Sequence, residues 1–337
     1  MDDCIFNKTT EGGKQLTTLL HVDDMMFSCV DEAAIDGVIA ELREKYVDVT
    51  VCENQEALPF IGMVFDFSDP YKLLITMDKY VEDVLKLYEV TGYAKTPAQA
   101  DLFDVDQESP RLDEDQAELF HSRVAKLLYL AKRVRPEILP AIIFLTTRVN
   151  CCSEQDWGKL SRVLMYLNKY PKLGIGLSVS DSMSVIGYID ASFGVHADYK
   201  SHTGSVVSLG EGPVVCDSMR QKTNAKSSYE AELMGATDGS NSLFFVRNLL
   251  IEQGHKVGPA KLYQDNQSAL ASLKNGKPTS KRSRHINIRY FYLKDKVDQG
   301  ELELEYLPTD EMNADVLTKP LQGEKFLQLR AKLLNFE

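Results

Sequence analysis

Short apolar runs broken by polar residues open the chain. Residues 16–20 and 25–29 flank His21-Val22-Asp23-Asp24, a pattern that predicts a β-hairpin with the acids at its turn. Ile35, Val38, Ile39 and Leu42 recur at helical spacing within 31–46, and 58–67 reads as one further strand. Residues 78–96 predict a helix ending near Gly92. Residues 98–118 contain Pro110 and few apolar positions, and read as a surface linker. Helices then dominate. Leu119, Val124, Leu127, Leu128 and Leu130 mark 112–133, and Pro136 suits the first turn of a helix running to Val149. Ser153 caps another, which Pro171 stops.

From about 182 the pattern changes. Residues 185–189, 204–209 and 214–217 predict three short strands, and a long helix follows over 228–253. A strand (261–264), two helices (267–274 and 283–297), a strand (301–307) and a last helix from Asp310 complete the order. Such an order builds a mixed α/β sheet, antiparallel at its start and extended in parallel through helices.

With 337 residues, two or three domains are expected at ~100–200 residues each. A 44% hydrophobic and 26% charged composition is that of a folded globular protein. No apolar run reaches the ~18–20 residues of a membrane helix, and Met1-Asp2-Asp3-Cys4 carries no secretory signal pattern. An intracellular location, cytoplasmic or nuclear, is therefore expected, with no membrane contact. The six cysteines include no Cys-x-x-Cys and read as free thiols. The net charge of −12 disfavours a nucleic-acid partner, but its distribution is uneven. Residues 98–118 hold eight acids and one Arg, whereas 274–296 hold eight Lys/Arg and one acid. A basic block in an acidic chain reports a local site.

Four acids stand where strands end or helices begin. Asp190 and Asp265 follow apolar strands, Glu232 lies early in the long helix, and Asp315 lies in the C-terminal helix. An acid just after a buried strand points into the crevice where α/β proteins hold ligands. Each also has a plainer reading: Asp190 as a turn residue, Asp265-Asn266 as a helix cap, Asp315 as a solvated acid. In Ser227-Ser228-Tyr229-Glu230 the spacing fits a capping box, with Glu230 reaching back to the Ser227 amide. That leaves Glu232 as the candidate ligand. Gly235, Ala236 and Gly239 share its helix face, and their small size lets the helix approach the sheet. Carboxylates gathered from separate segments need cations, and paired Mg²⁺ ions suit in-line displacement at phosphorus.

Several strings occur in order. They are Tyr188-Ile-Asp190-Ala191, Gln221-Lys-Thr223, Ser227-Ser-Tyr-Glu-Ala-Glu232-Leu233 and Tyr263-Gln-Asp265-Asn-Gln-Ser-Ala269, then His285-Ile-Asn-Ile-Arg-Tyr290 and Ala314-Asp315-Val-Leu-Thr-Lys-Pro-Leu321. With them, the region resembles the ribonuclease H domain of copia-type LTR retrotransposon polyproteins. His21-Val-Asp23-Asp24-Met25 and Phe60-Ile-Gly62-Met-Val64 resemble the reverse-transcriptase palm of that family, with His21 where a Tyr is usual. Leu127-Leu-Tyr-Leu130 and Arg135-Pro-Glu-Ile138 resemble its connection region. The resemblance implies a ribonuclease H-like mixed five-stranded sheet flanked by helices (182–335). A partial α+β polymerase palm (1–75) and a helical thumb or connection region with an acidic linker (76–181) precede it. It implies a metal-dependent endonuclease that cuts the RNA strand of RNA/DNA hybrids. Asp190, Glu232, Asp265 and Asp315 would hold two Mg²⁺ ions, with Mn²⁺ as a substitute.

Departures from the family pattern are local. Ala191-Ser192-Phe193 follows the first aspartate where a second acid and a Trp are usual, and Leu307-Pro308-Thr309-Asp310 carries no histidine. Asp23 and Asp24 read as a polymerase remnant, since the first palm aspartate and the fingers would lie upstream, so no primer extension is expected. Lys281, Arg282, Arg284, His285 and Arg289, with Arg220, Lys222 and Lys226, are the candidate phosphate contacts. The expected partners are an RNA/DNA hybrid and the rest of a retroelement polyprotein, with no small-molecule substrate. A catalytically inactive nucleic-acid-binding relic is the alternative.

Overall fold

The computed structural model describes residues 4–52, 57–179, 183–275 and 284–336. The chain begins with β1 (Ile5–Thr9), β2 (Gln15–His21), β3 (Asp24–Ser28), α1 (Glu32–Lys45), β4 (Ala57–Phe60), β5 (Met63–Asp69) and β6 (Lys72–Thr76). Next come α2 (Asp78–Leu87), α3 (Glu114–Arg133), α4 (Leu139–Thr146), α5 (Glu154–Lys169) and β7 (Ile175–Val179). After these lie β8 (Ile186–Ser192), β9 (His202–Ser208), β10 (Gly210–Glu211), β11 (Val215–Arg220) and α6 (Ser228–Glu252). The last elements are β12 (Ala260–Gln264), α7 (Gln267–Asn275), α8 (Arg284–Asp298), β13 (Leu302–Tyr306), α9 (Asp315–Thr318) and α10 (Gly323–Leu334). Among the described residues no helix is long and apolar enough to cross a membrane.

The strands form three sheets, ordered β1-β2-β3, β10-β7-β6-β5-β4 and β11-β9-β8-β12-β13. In the third, β11, β9 and β8 are antiparallel, and β12 is parallel to both β8 and β13. This is the mixed sheet that the element order predicted, with the ribonuclease H-like form that the family resemblance implied. The first sheet holds the expected hairpin: His21 pairs with Asp24 across a turn of Val22 and Asp23. Val22 sits at φ 55°, an uncommon conformation for a β-branched residue.

The second sheet differs from the sequence reading. The expected strand 58–67 is a hairpin, because Ile61 and Gly62 both take positive φ and make a two-residue turn. The Tyr129 hydroxyl on α3 donates to the Ile61 carbonyl at 3.0 Å and ties that turn to the helices. The sheet also takes in β7, which follows α5, and β10, which lies between β9 and β11. The helix expected over 78–96 stops at Leu87, and Glu89 just beyond it takes a positive φ. The helix expected from Asp310 is divided into α9 and α10. Pro320, which has no amide hydrogen to donate, lies between them.

Two apolar layers enclose the third sheet. On one face Ile189, Val207, Leu262 and Leu304 pack with Leu233, Ala236 and Leu243 of α6. On the other, Val206 packs with Leu317 of α9 and with a core that runs through Leu127, Ile142, Leu145 and Leu160 to Phe326 and Leu329 of α10. At about 1.5–3 kcal/mol for each fully buried side chain of this kind, this second layer is what holds α9 against the sheet.

Gly204 on β9 sets how closely α9 can sit. A Cβ there would lie 2.8 Å from the Leu317 Cβ and 2.9 Å from the Ala314 carbonyl oxygen. Gly204→Ala is expected to cost about 1–3 kcal/mol, because a backbone atom cannot rotate aside as a side chain can. Urea denaturation measures this, and an unchanged midpoint would show that α9 is free to shift.

Candidate active site

Asp190 and Asp265 reach the same place through the strand register. Tyr188 on β8 pairs with Tyr263 on the parallel β12, and their rings stack at 5.4 Å. Each aspartate lies two residues beyond its tyrosine and therefore on the same face. Ile189 and Ala191 lie against Gly239 and Gly235 of α6. Asp190 thus turns to the opposite face, where the Thr318 hydroxyl donates to its Oδ2.

Glu232 arrives from α6. Its helix comes close because Cβ atoms on Gly239 and Gly235 would lie only 2.8 Å from the Ile189 Cδ1 and 3.2 Å from the Ala191 Cβ. The small-residue face expected from sequence thus does what was anticipated. Asp190, Glu232 and Asp265 each offer a carboxylate oxygen, and these oxygens lie within 4.8 Å of one another.

Neighbouring side chains orient the three acids. The Gln264 Nε2 donates to Glu232 Oε2 at 2.6 Å, and the Thr309 hydroxyl donates to Asp265 Oδ2 at 2.8 Å. The cap of α7 falls to Asn266, whose Oδ1 accepts from the Ala269 amide, so Asp265 is free of that duty. Ser227 caps α6 by accepting from the Glu230 amide. The Glu230 carboxylate accepts from the Lys226 amide, one residue earlier than the Ser227 amide expected, and its role is structural all the same.

Asp315 opens α9 and is fully buried, but it faces lysines. Lys319 Nζ lies 2.6 Å from Asp315 Oδ1 and 3.2 Å from Asp190 Oδ2, and Lys325 Nζ lies 3.3 Å from Asp315 Oδ2. Burial disfavours the Lys319 charge, but Asp190 and Asp315 outweigh it and hold the ammonium above its usual range. Burial, opposed by Lys319, raises Asp190. Burial first, then the charges of Asp190 and Asp265, push Glu232 up to about 9.

A buried relay supports α9 from below. The Ser218 hydroxyl donates to the Leu317 carbonyl at 2.8 Å, so it accepts from His202 Nε2 at 2.7 Å. His202 Nδ1 must then accept from His196 Nε2 at 3.0 Å. Burial lowers His196 to about 4 and His202 to about 3, which keeps the chain of donors neutral.

The candidate phosphate contacts differ in their surroundings where they are described. Lys222 and Lys226 are exposed on the loop before α6. Arg220 is engaged by Asp198, and Arg289 is fastened to α6 through Asp238 at 2.7 Å and the Met234 carbonyl. Arg284 and His285 open α8, with side chains outside the described set, and Lys281 and Arg282 lie outside the described residues. Asp23 and Asp24 are exposed in the β2–β3 hairpin and belong to no cluster of three acids among the described residues.

Sequence reasoning gave no role to Lys319, Thr318, Gln264 or the two histidines. A signal existed for the first: Asp315 and Lys319 are four residues apart, the spacing of a helical ion pair. Gln264 carried none, since Glu232 is 32 residues away, and the role of the two histidines depends on Ser218 and, through it, on Leu317, 99 residues further on.

No protein-family model matches the chain. It is 29% identical over 325 residues to the retrovirus-related Pol polyprotein from transposon RE1 of Arabidopsis thaliana, covering 95% of this chain and 22% of that protein. The chain is a homologue of copia-type retrovirus-related Pol polyproteins. The polyprotein from transposon TNT 1-94 of Nicotiana tabacum is 27% identical over 96% of the chain and 25% of its own length. The transposon Ty1-NL2 Gag-Pol polyprotein of Saccharomyces cerevisiae is 23% identical over 98% of the chain and 20% of its own length. This Pol homologue thus spans about a fifth to a quarter of the length of those relatives. Among solved structures, the foamy viral protease-reverse transcriptase in complex with RNA/DNA hybrid is 10% identical, with a TM-score of 0.48 over 87% of this chain and 36% of that one. The N-terminal RNase H domain of rv2228c from Mycobacterium tuberculosis is 15% identical, with a TM-score of 0.31 over 41% of this chain and 91% of that one. The fold assignment rests on the strand order itself.

The raised Glu232 has a consequence for stability without metal. A carboxyl whose folded value lies above its unfolded value stabilises the fold at low pH. That stability is lost as pH rises from about 4.5 towards about 9. In EDTA, Glu232→Gln should therefore gain stability relative to the parent chain between pH 5 and pH 9, measured by urea denaturation. A difference independent of pH would show that Glu232 does not titrate under this strain.

Proposed function

We propose that the chain is a divalent-metal-dependent endonuclease that cuts the RNA strand of RNA/DNA hybrids. The observation that carries this reading is the meeting within 4.8 Å of Asp190 on β8, Glu232 on α6 and Asp265 at the end of β12, around a ribonuclease H-like sheet. The donors are hard carboxylate oxygens, which suit Mg²⁺ or Mn²⁺ and not a soft metal. When bound, a pair of such ions stabilises the attacking and leaving oxygens of an in-line displacement at phosphorus. The chain's own residues hold the ligands still. Thr318 orients Asp190, Gln264 orients Glu232, and Thr309 orients Asp265. Asp315 is assigned as the fourth carboxylate.

Lys222 and Lys226, exposed before α6, are assigned to phosphate contact, which positions a duplex without reading bases. Discrimination for RNA is assigned to 2′-hydroxyls and A-like groove shape. Residues 1–75 are assigned to a reverse-transcriptase palm, 76–181 to the connection region and 182–335 to the nuclease, in an intracellular retroelement product. One observation favours the relic reading: the Asp315 oxygens are both engaged by lysines.

Asp265→Asn keeps shape but removes a ligand charge. It should lower Mg²⁺-dependent hybrid cleavage on the order of 10²-fold or more, with an unchanged circular dichroism spectrum. Glu232→Gln should do likewise. Glu230→Gln should be mild, because its role is to accept from a backbone amide. The opposite ranking of the two glutamates would contradict the assignment, and so would a near-parental rate for Asp265→Asn.

A further inference from the structure

The half of the acidic site towards α9 already contains a cation. Lys319 Nζ bridges Asp190 Oδ2 at 3.2 Å and Asp315 Oδ1 at 2.6 Å. The remaining Asp315 oxygen is taken by Lys325, and Asp190 Oδ2 also accepts from the Thr318 hydroxyl. Asp190 shares this ammonium, but among the ion pairs of the described residues none reaches Glu232 or Asp265, so the half formed with those two acids has no cation of its own. The site is thus asymmetric in charge, although its acids are of one kind.

The bridging lysine is positioned by the end of its helix. It follows the last residue of α9, four residues after Asp315, and Pro320 blocks continuation of the helix. Pro97, Pro140, Pro320 and Phe326 line the small cavity beside it. An ammonium and a divalent ion cannot share the same carboxylate oxygens: their like charges repel, and Mg²⁺ requires oxygen ligands at ~2.0–2.1 Å.

We infer that Lys319 is a built-in cation that fills the Asp190–Asp315 half of the site, so that the free chain takes one divalent ion, at Asp190, Glu232 and Asp265. A second ion enters only when Lys319 leaves. A nucleic-acid phosphate offers the ammonium another acceptor, which makes loading of the second ion dependent on substrate. This inference rests on the proposed metal-dependent function and adds to it a residue that controls ion occupancy.

Counting Mn²⁺ bound to the full chain without nucleic acid, from the electron paramagnetic resonance of the free ion, tests this directly. The parent chain and Lys319→Arg should each bind one ion, and Lys319→Met should bind two. Asp315→Asn should leave the affinity for the single ion little changed, because Asp315 is not among its ligands. Two ions on the parent chain would overturn the lysine inference and leave the metal site standing. So would one ion on a folded Lys319→Met, or a loss of about tenfold or more in affinity for Asp315→Asn. The Asp315→Asn result decides the matter should Lys319→Met fail to fold. No ion bound to the parent chain would overturn both the inference and the proposed function.

Discussion

Mutual repulsion among buried carboxylates is the constraint on which this structure turns. Two unit charges 4 Å apart interact by about 4 kcal/mol at an effective dielectric of 20, so three acids within 4.8 Å cannot all be ionised without compensation. The fold answers in two ways. Glu232 is pushed towards its neutral form, while Asp190 and Asp315 are bridged by the Lys319 ammonium. A fold that tolerates such crowding must enforce it with packing remote from the acids themselves.

That enforcement is visible at each element. Parallel pairing of β8 and β12 sets Asp190 beside Asp265, and Gly235 and Gly239 let α6 bring Glu232 to them. Gly204 admits α9 on the other face, where the Ser218 hydroxyl anchors the Leu317 carbonyl. Helices α3, α4 and α5 share one apolar core with α9 and α10, so the third sheet and the segments before it are bound by burial as well as by the shared second sheet.

Much of this was legible in the residues. The strand and helix order from about 182 onward followed from periodicity, and the acids stood out because each lay at a strand end or an early helical turn. The small face of α6 was readable because glycine in a helix costs stability unless close packing requires it. What escaped notice was one local turn and several non-local pairings. The Ile61-Gly62 turn hid inside an apolar run, and β7 and β10 join partners far away in sequence. Lys319 was in plain view within Ala314–Leu321, yet its part depends on Asp190, which lies more than a hundred residues before it.

The central claim is that these carboxylates form a metal-dependent site for cutting RNA paired with DNA. The most direct measurement is a time course of the purified chain on RNA/DNA hybrid, single-stranded RNA and duplex DNA, each end-labelled, with Mg²⁺ or with EDTA. The account predicts shortening of the RNA strand of the hybrid alone, and only with Mg²⁺. An intact hybrid in the presence of Mg²⁺, or equal cutting of single-stranded RNA, would contradict it.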